Sequence, residues 1–146
     1  MIITPNSLKE RAFQSLIKEY LITENGYRES FNKDYNKDMA IDVKCLFTFL
    51  ETTQEKAMNR LKEIYKTNYQ NKILSNIVEN LRVNGTIHVL KHGIRDYGVS
   101  LKLAFFKPPT DLNPEQYLLY KQNIISVTEE LNYIDNKRIL PIVWRK

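Results

Sequence analysis

Apolar residues recur at helical spacing through the first half of the chain and at every second position further on, which predicts a helical half followed by strands. Leu8, Ala12, Phe13, Leu16, Ile17, Tyr20 and Leu21 trace one stripe that Asn25-Gly26 stops, so a helix is expected over 7–25. Ser7 and Glu10 stand at capping-box spacing at its start. After a polar, Tyr- and Lys-rich loop (28–37), the segment 38–51 is apolar on most sides, as a buried helix is. Thr52 and Glu55 repeat the capping-box spacing ahead of a helix over 54–66, whose stripe is Ala57, Met58, Leu61, Ile64 and Tyr65. A fourth helix, 71–83, carries Ile73, Leu74, Ile77, Val78 and Leu81 and ends at Asn84-Gly85.

From Gly85 the period becomes two. Ile87 and Val89 share a face with Lys91, and Val99, Leu101, Leu103 and Phe105 alternate with Ser100, Lys102 and Ala104, so strands over 86–94 and 99–107 are expected to join around Asp96-Tyr97-Gly98. Pro108-Pro109 ends this hairpin, and Asn113 before Pro114 is an N-cap with proline at the first helical position, opening a short helix to Gln122. Ile125, Val127, Leu131 and Tyr133 alternate with polar residues in a third strand over 124–133. Ile139 to Trp144 is apolar but holds Pro141, which cannot donate to a ladder, so it reads as an edge strand or no strand. Ile142 and Val143 are expected to be partly buried, with Trp144 covering apolar surface or a neighbouring chain. The fold class that follows is α/β with α+β character: helices packed on one small mixed sheet, in a single domain over 1–146.

Composition adds bounds. A content of 42% hydrophobic and 27% charged residues is that of an ordinary globular domain. No apolar run approaches the roughly 20 residues of a bilayer span, and no signal-peptide pattern opens the chain, so a cytoplasmic protein without a membrane partner is expected. The single cysteine, Cys45, lies in an apolar helical stretch and reads as inert core.

Charge changes the picture more. Lys and Arg number 12 against 11 Asp and Glu in residues 1–81, 5 against 1 in 82–107, and 5 against 5 in 108–146. The net charge of +5 is therefore local. Arg82, Lys91, Arg95, Lys102 and Lys107 on one short pair of strands form a footprint for a polyanion, or a solvated sheet face.

Motifs exclude several chemistries. There is no GxxxxGK[ST], GxGxxG, HExxH or GxSxG. His88 and His92 could share a strand face, but two imidazoles are too few for a zinc site. Glu129-Glu130 on an alternating strand point to opposite faces, so one at most could face a site. Glu10 flanks the first apolar stripe and could turn toward a metal, although its spacing to Ser7 favours a cap.

Taken in order, KERAFQSLI, NGY, FLETTQ, GTIHVLKHGI, GVSLKLAFFKPP, LNPE and LYKQNIISVTEELNY resemble the N-terminal, nuclease-bearing region of the R (restriction) subunit of type I restriction enzymes. The resemblance implies a restriction-endonuclease-like core of the PD-(D/E)xK type. In such a core an Asp and a Glu hold Mg²⁺, and a nearby Lys helps activate water for phosphodiester cleavage. It implies double-stranded DNA and the modification and specificity subunits of a restriction complex as partners, with ATP used by motor domains outside this chain. Here the sequence departs from the family: Pro141 falls where the catalytic Asp is expected, no E-x-K follows it, and Glu129-Glu130 replace a usual Arg-Gln pair. Asp135 belongs to the turn before that strand. Of the nuclease site, Glu10 is the one catalytic and metal candidate left, and Lys91, Arg95, Lys102 and Lys107 are the DNA-binding candidates. The chain alone is expected to be inactive as a nuclease, and a non-catalytic module that binds DNA or a partner subunit is the competing reading.

Overall fold

The computed structural model describes residues 5–131, and within them the chain forms six α-helices and three two-stranded sheets. In chain order the first elements are α1 (Pro5–Asn25), β1 (Arg28–Glu29), a 3-10 turn (Asn32–Asp34), β2 (Tyr35–Asn36), β3 (Ile41–Asp42) and α2 (Val43–Thr53). They are followed by α3 (Glu55–Tyr65), α4 (Tyr69–Asn84), α5 (Thr86–His92), β4 (Ile94–Asp96), β5 (Val99–Leu101), α6 (Pro114–Lys121) and β6 (Ser126–Val127). The mixture of helices and short sheets is α+β, but strand pairs β1–β6, β2–β3 and β4–β5 stand where one continuous sheet was expected. The described residues fall into two compact units, 5–45 with 124–131 and 46–123. The expectations for Tyr133, Asp135 and Ile139 to Trp144 lie outside the described residues.

In the first unit, α1 already begins at Pro5, so Ser7 sits inside its first turn and not at its cap. Gly26, at φ +69°, turns the chain out of the helix, and the Tyr27 N–H closes back on the Leu21 carbonyl at 3.0 Å. β1 then runs parallel to β6, Arg28 opposite Ser126 and Glu29 opposite Val127. The pairing is extended by Arg28 N–H to the Ile125 carbonyl (2.8 Å) and Ser30 N–H to the Val127 carbonyl (3.0 Å). Ser30 is buried and donates its hydroxyl to Asp42 Oδ2, while Asp42 Oδ1 accepts the Cys45 N–H at 2.9 Å. That carboxylate satisfies an orphan donor of the first turn, which is why α2 starts at Val43 and not at 38 as the sequence predicted. The α1 stripe has the expected period but is not buried: Leu8, Phe13, Leu16, Ile17 and Tyr20 are all exposed.

The second unit holds the core. Phe47, Phe49 and Leu50 of α2, Met58 and Leu61 of α3, Ile73, Leu74 and Ile77 of α4, Val89 of α5, and Ile94, Val99 and Leu101 of the β4–β5 hairpin are all buried. Removing each such side chain from water is worth about 1.5–3 kcal/mol, so this cluster positions everything around it. The Thr52–Glu55 capping box does not form. Thr52 lies in the last turn of α2, donating to the Thr48 and Phe49 carbonyls at 2.7 and 3.2 Å, and Gln54 is the residue before α3.

Two strand assignments are corrected. Residues 86–92 are the helix α5, held between Gly85 (φ +82°) and Gly93 (φ +74°). On a strand Ile87 and Val89 would share a face, but Ile87 is 72% exposed and Val89 is fully buried. The 99–107 strand stops at Leu101, because beyond it the backbone is hydrogen-bonded by side chains instead of by a partner strand. Gln54 takes both backbone groups of Lys102, and Asn123 takes both of Phe105, Oδ1 accepting at 2.9 Å and Nδ2 donating at 2.6 Å. Likewise β6 covers only 126–127 of the expected 124–133 strand. The helix after Asn113 forms as expected, and its cap is direct: Asn113 Oδ1 accepts the Gln116 N–H at 3.2 Å. Among the described residues no helix is long and apolar enough to cross a membrane.

Candidate functional site

The basic cluster is carried by the second unit, on two kinds of element. In the β4–β5 hairpin Ile94 pairs with Leu101, Arg95 with Ser100 and Asp96 with Val99. Since Ile94, Asp96, Val99 and Leu101 point into the core, the alternation turns Arg95, Ser100 and, one step on, Lys102 to the outside. Lys102 Nζ reaches the His92 carbonyl at 3.2 Å, at the C-terminal end of α5, where a cation meets the negative end of the helix. Lys91 is exposed on α5 itself, and Lys107 is exposed in the segment after the hairpin. Arg82 leaves the cluster: on α4 it grips Glu79 through Nη2 and Nε at 2.6 and 3.0 Å, which holds the Glu79 carboxyl below its ordinary range. Among the described residues, Lys91, Arg95, Lys102 and Lys107 are engaged in no ion pair. Lys91 and Lys107, expected on strands, lie instead on α5 and in the irregular segment after the hairpin.

At each edge of this hairpin one backbone position is covered by a side-chain amide, from α4 on one side and from the residue before α3 on the other. Asn76 of α4 donates to the Arg95 carbonyl at 3.3 Å, and Gln54 covers Lys102. Its tip, Tyr97-Gly98, has φ of +47° and +78°, the two-residue type I′ geometry that matches the twist of the strands. Beneath the tip, Tyr65 of α3 donates its hydroxyl to Asp96 Oδ1 at 2.6 Å. Burial and then the Asp96 carboxylate push the Tyr65 phenol well above its ordinary value. The second carboxylate oxygen of Asp96 is buried without a hydrogen-bond partner.

His88 and His92 lie one turn apart on α5 with ring centroids 4.3 Å apart, both exposed. They are helix residues, not the strand pair expected.

A separate acidic groove of 330 Å³ lies in the first unit, with Phe13, Ile17, Leu21 and Val127 as its apolar wall and Glu10, Glu129 and Glu130 among its polar lining. The expectation that Glu129 and Glu130 face opposite ways is overturned. The strand ends at Val127 and Glu130 adopts φ +49°, so the alternation is lost and both line the groove. Lys18 crosses to Glu29 at 2.9 Å and to Glu129 at 3.5 Å, and Ser15 donates to Glu129 at 3.3 Å. Glu10 is exposed on the α1 side. A Mg²⁺ site needs several oxygen donors in near-octahedral array. Among the described residues no three His, Cys, Asp or Glu side chains gather in that way, so Glu10 and its neighbours do not by themselves fit the ion. Nor is Cys45 an activated nucleophile, since burial and then Asp42 push its thiol up, away from the thiolate.

No family model, curated protein or solved structure matches the chain.

Proposed function

We propose that the chain is part of an R-subunit-like nuclease region of a type I restriction enzyme, and that its own task is sequence-independent contact with duplex DNA through the β4–β5 hairpin. The observation that carries this reading is the outward placement of Arg95 and Lys102 on one hairpin, flanked by Lys91 and Lys107, with no carboxylate neutralising any of the four among the described residues. Such cations take up phosphate charge whatever the base sequence, and release counterions as they do so. On this reading Mg²⁺ serves the parent nuclease, the modification and specificity subunits are its protein partners, and a restriction-endonuclease-like core is the parent architecture. A non-catalytic module is the second reading, favoured by the scattered carboxylates of the acidic groove.

Fluorescence anisotropy with labelled duplexes of unrelated sequence tests the contact. Affinity is expected at about 10⁻⁴ to 10⁻⁶ M at physiological salt, falling steeply as salt rises. The triple variant Lys91→Ala, Arg95→Ala, Lys102→Ala should bind more weakly to every duplex and flatten the log–log salt slope, each lost phosphate contact being worth about 0.9 in slope. Equal binding by the parent and the triple variant would reduce the hairpin to a solvated surface. With Mg²⁺ or Mn²⁺ the chain alone is expected to leave supercoiled plasmid intact, and EDTA-sensitive nicking by the purified chain would overturn that half of the reading.

A further inference from the structure

The tip of the hairpin is built against its own backbone preference. Type I′ turns need φ > 0 at both central residues and therefore favour Asn-Gly. Gly98 meets that need without cost, but position 97 holds a bulky aromatic at φ +47°. The ring does not repay the strain by entering the core: Tyr97 is 72% exposed. It is nevertheless oriented. Tyr65 meets it edge-to-face, with centroids 5.5 Å apart and planes at 86°, and Tyr65 is itself fixed by its bond to Asp96 and by Lys72 Nζ, 5.2 Å from its ring centroid. Strain retained at an exposed position, with the side chain held in one orientation, is the mark of a residue kept for contact. The groups around it select the kind of contact: Arg95 on the outer face two residues back and Lys72 beside the Tyr65 ring are cationic, and the carboxylate next in sequence, Asp96, is buried and accepts from Tyr65.

We infer that Tyr97 is a base-stacking residue, and that the hairpin takes single-stranded or locally unpaired DNA, with an exposed base on the Tyr97 ring and the adjoining phosphates on Arg95. This rests on the DNA-contact reading above and extends it from duplex phosphates to strands in which a base is free. An intact duplex offers the ring no free base face, whereas every unpaired base offers one, so stacking favours unpaired strands without reading sequence.

The experiment compares anisotropy titrations of a labelled 12-nucleotide oligothymidine and a 12-base-pair duplex, across a salt series, with the full chain and its variants. Tyr97→Asn puts the residue preferred by this turn at position 97, so it keeps the hairpin and should not lower the melting temperature. It should weaken oligothymidine binding about 5- to 150-fold, the range of a lost base–aromatic stack. Its salt slope should be unchanged because no phosphate contact is removed, and duplex binding should stay within about twofold. Tyr97→Phe should bind like the parent. If Tyr97→Asn binds oligothymidine as the parent does while the Lys91, Arg95, Lys102 triple variant does not, the stacking role is wrong and the basic contact stands. If neither variant changes binding to either DNA, the hairpin is not the DNA surface and both inferences fall.

Discussion

The side-chain amide of Gln54 acts as a strand partner for Lys102, accepting its N–H at 2.7 Å and donating to its carbonyl at 2.8 Å. One side chain from the residue before α3 thereby ends the β5 ladder and satisfies the backbone that leaves it. Gln54→Ala removes both bonds and is expected to cost about 1–2 kcal/mol, read as a lower urea midpoint with an unchanged m-value. Gln54→Glu keeps the acceptor and loses the donor, so it should fall between the two. A Gln54→Ala protein as stable as the parent would show the clamp to be replaceable by water.

Of the glycines in the second unit, Gly93 has the closest surroundings. A Cβ there would stand 2.2 Å from the Leu101 carbonyl oxygen, and the residue sits at φ +74°. Gly93→Ala should therefore destabilise by on the order of 3 kcal/mol, by steric overlap added to backbone strain. Gly98→Ala meets no atom within 4 Å and pays only for its φ of +78°, so it should cost clearly less. Equal losses at the two positions, measured by thermal melts, would contradict the close approach of α5's end to β5.

The Tyr65–Asp96 bond predicts a difference at high pH. The Tyr65 phenol keeps its proton in the folded chain at pH values where it ionises in the unfolded one, so the unfolded state binds fewer protons above about pH 10. Its contribution to stability is complete below that pH and declines as pH rises toward the folded value. Tyr65→Phe should flatten this decline between pH 9.5 and 11, and at pH 7 it should lower stability by about 1–3 kcal/mol because the buried Asp96 carboxyl loses its donor. Parallel pH curves for the parent and Tyr65→Phe would sink the assignment.

Lys18 should matter little by contrast. Its bonds to Glu29 and Glu129 raise its pKa, the Glu29 hydrogen bond first, but both pairs are open to solvent. Lys18→Met is expected to change stability by less than about 1 kcal/mol, with the difference vanishing in 1 M salt.

Helices with two or more turns of stripe could be read from sequence, because several apolar positions vote together. α3 and α4 bury Met58, Leu61, Ile73, Leu74 and Ile77 as their periods require, and Asn113-Pro114 marked the start of α6 through its own chemistry. Seven residues of α5 give too few votes. Thr86, Ile87 and Val89 are β-branched, and only packing of Val89 and the two flanking glycines decide for helix. Residues 102–107 alternate like a strand without forming one for a different cause: Gln54 and Asn123 lie 48 and 18 residues from Lys102 and Phe105, and no local pattern announces that a side chain will replace a strand. Within the basic cluster, Arg95 and Lys102 were legible through alternation, whereas the capture of Arg82 by Glu79 required knowing that both ride on α4. An aromatic at 97, in the slot where Asn ordinarily precedes Gly, is a signal the sequence does carry.

The amides of Asn76 and Gln54 at the two margins of the hairpin also bear on how this surface can change over generations. A two-stranded ribbon with bare margins invites pairing with other chains, and each new outward side chain then risks aggregation. Here amides from α4 and from the residue before α3 occupy those margins at residues 95 and 102, so the side chains at 95, 97 and 102 can be exchanged without uncovering the backbone there. The hairpin is in that sense a rewritable plate: its frame is fixed from behind, and what it displays is open to selection.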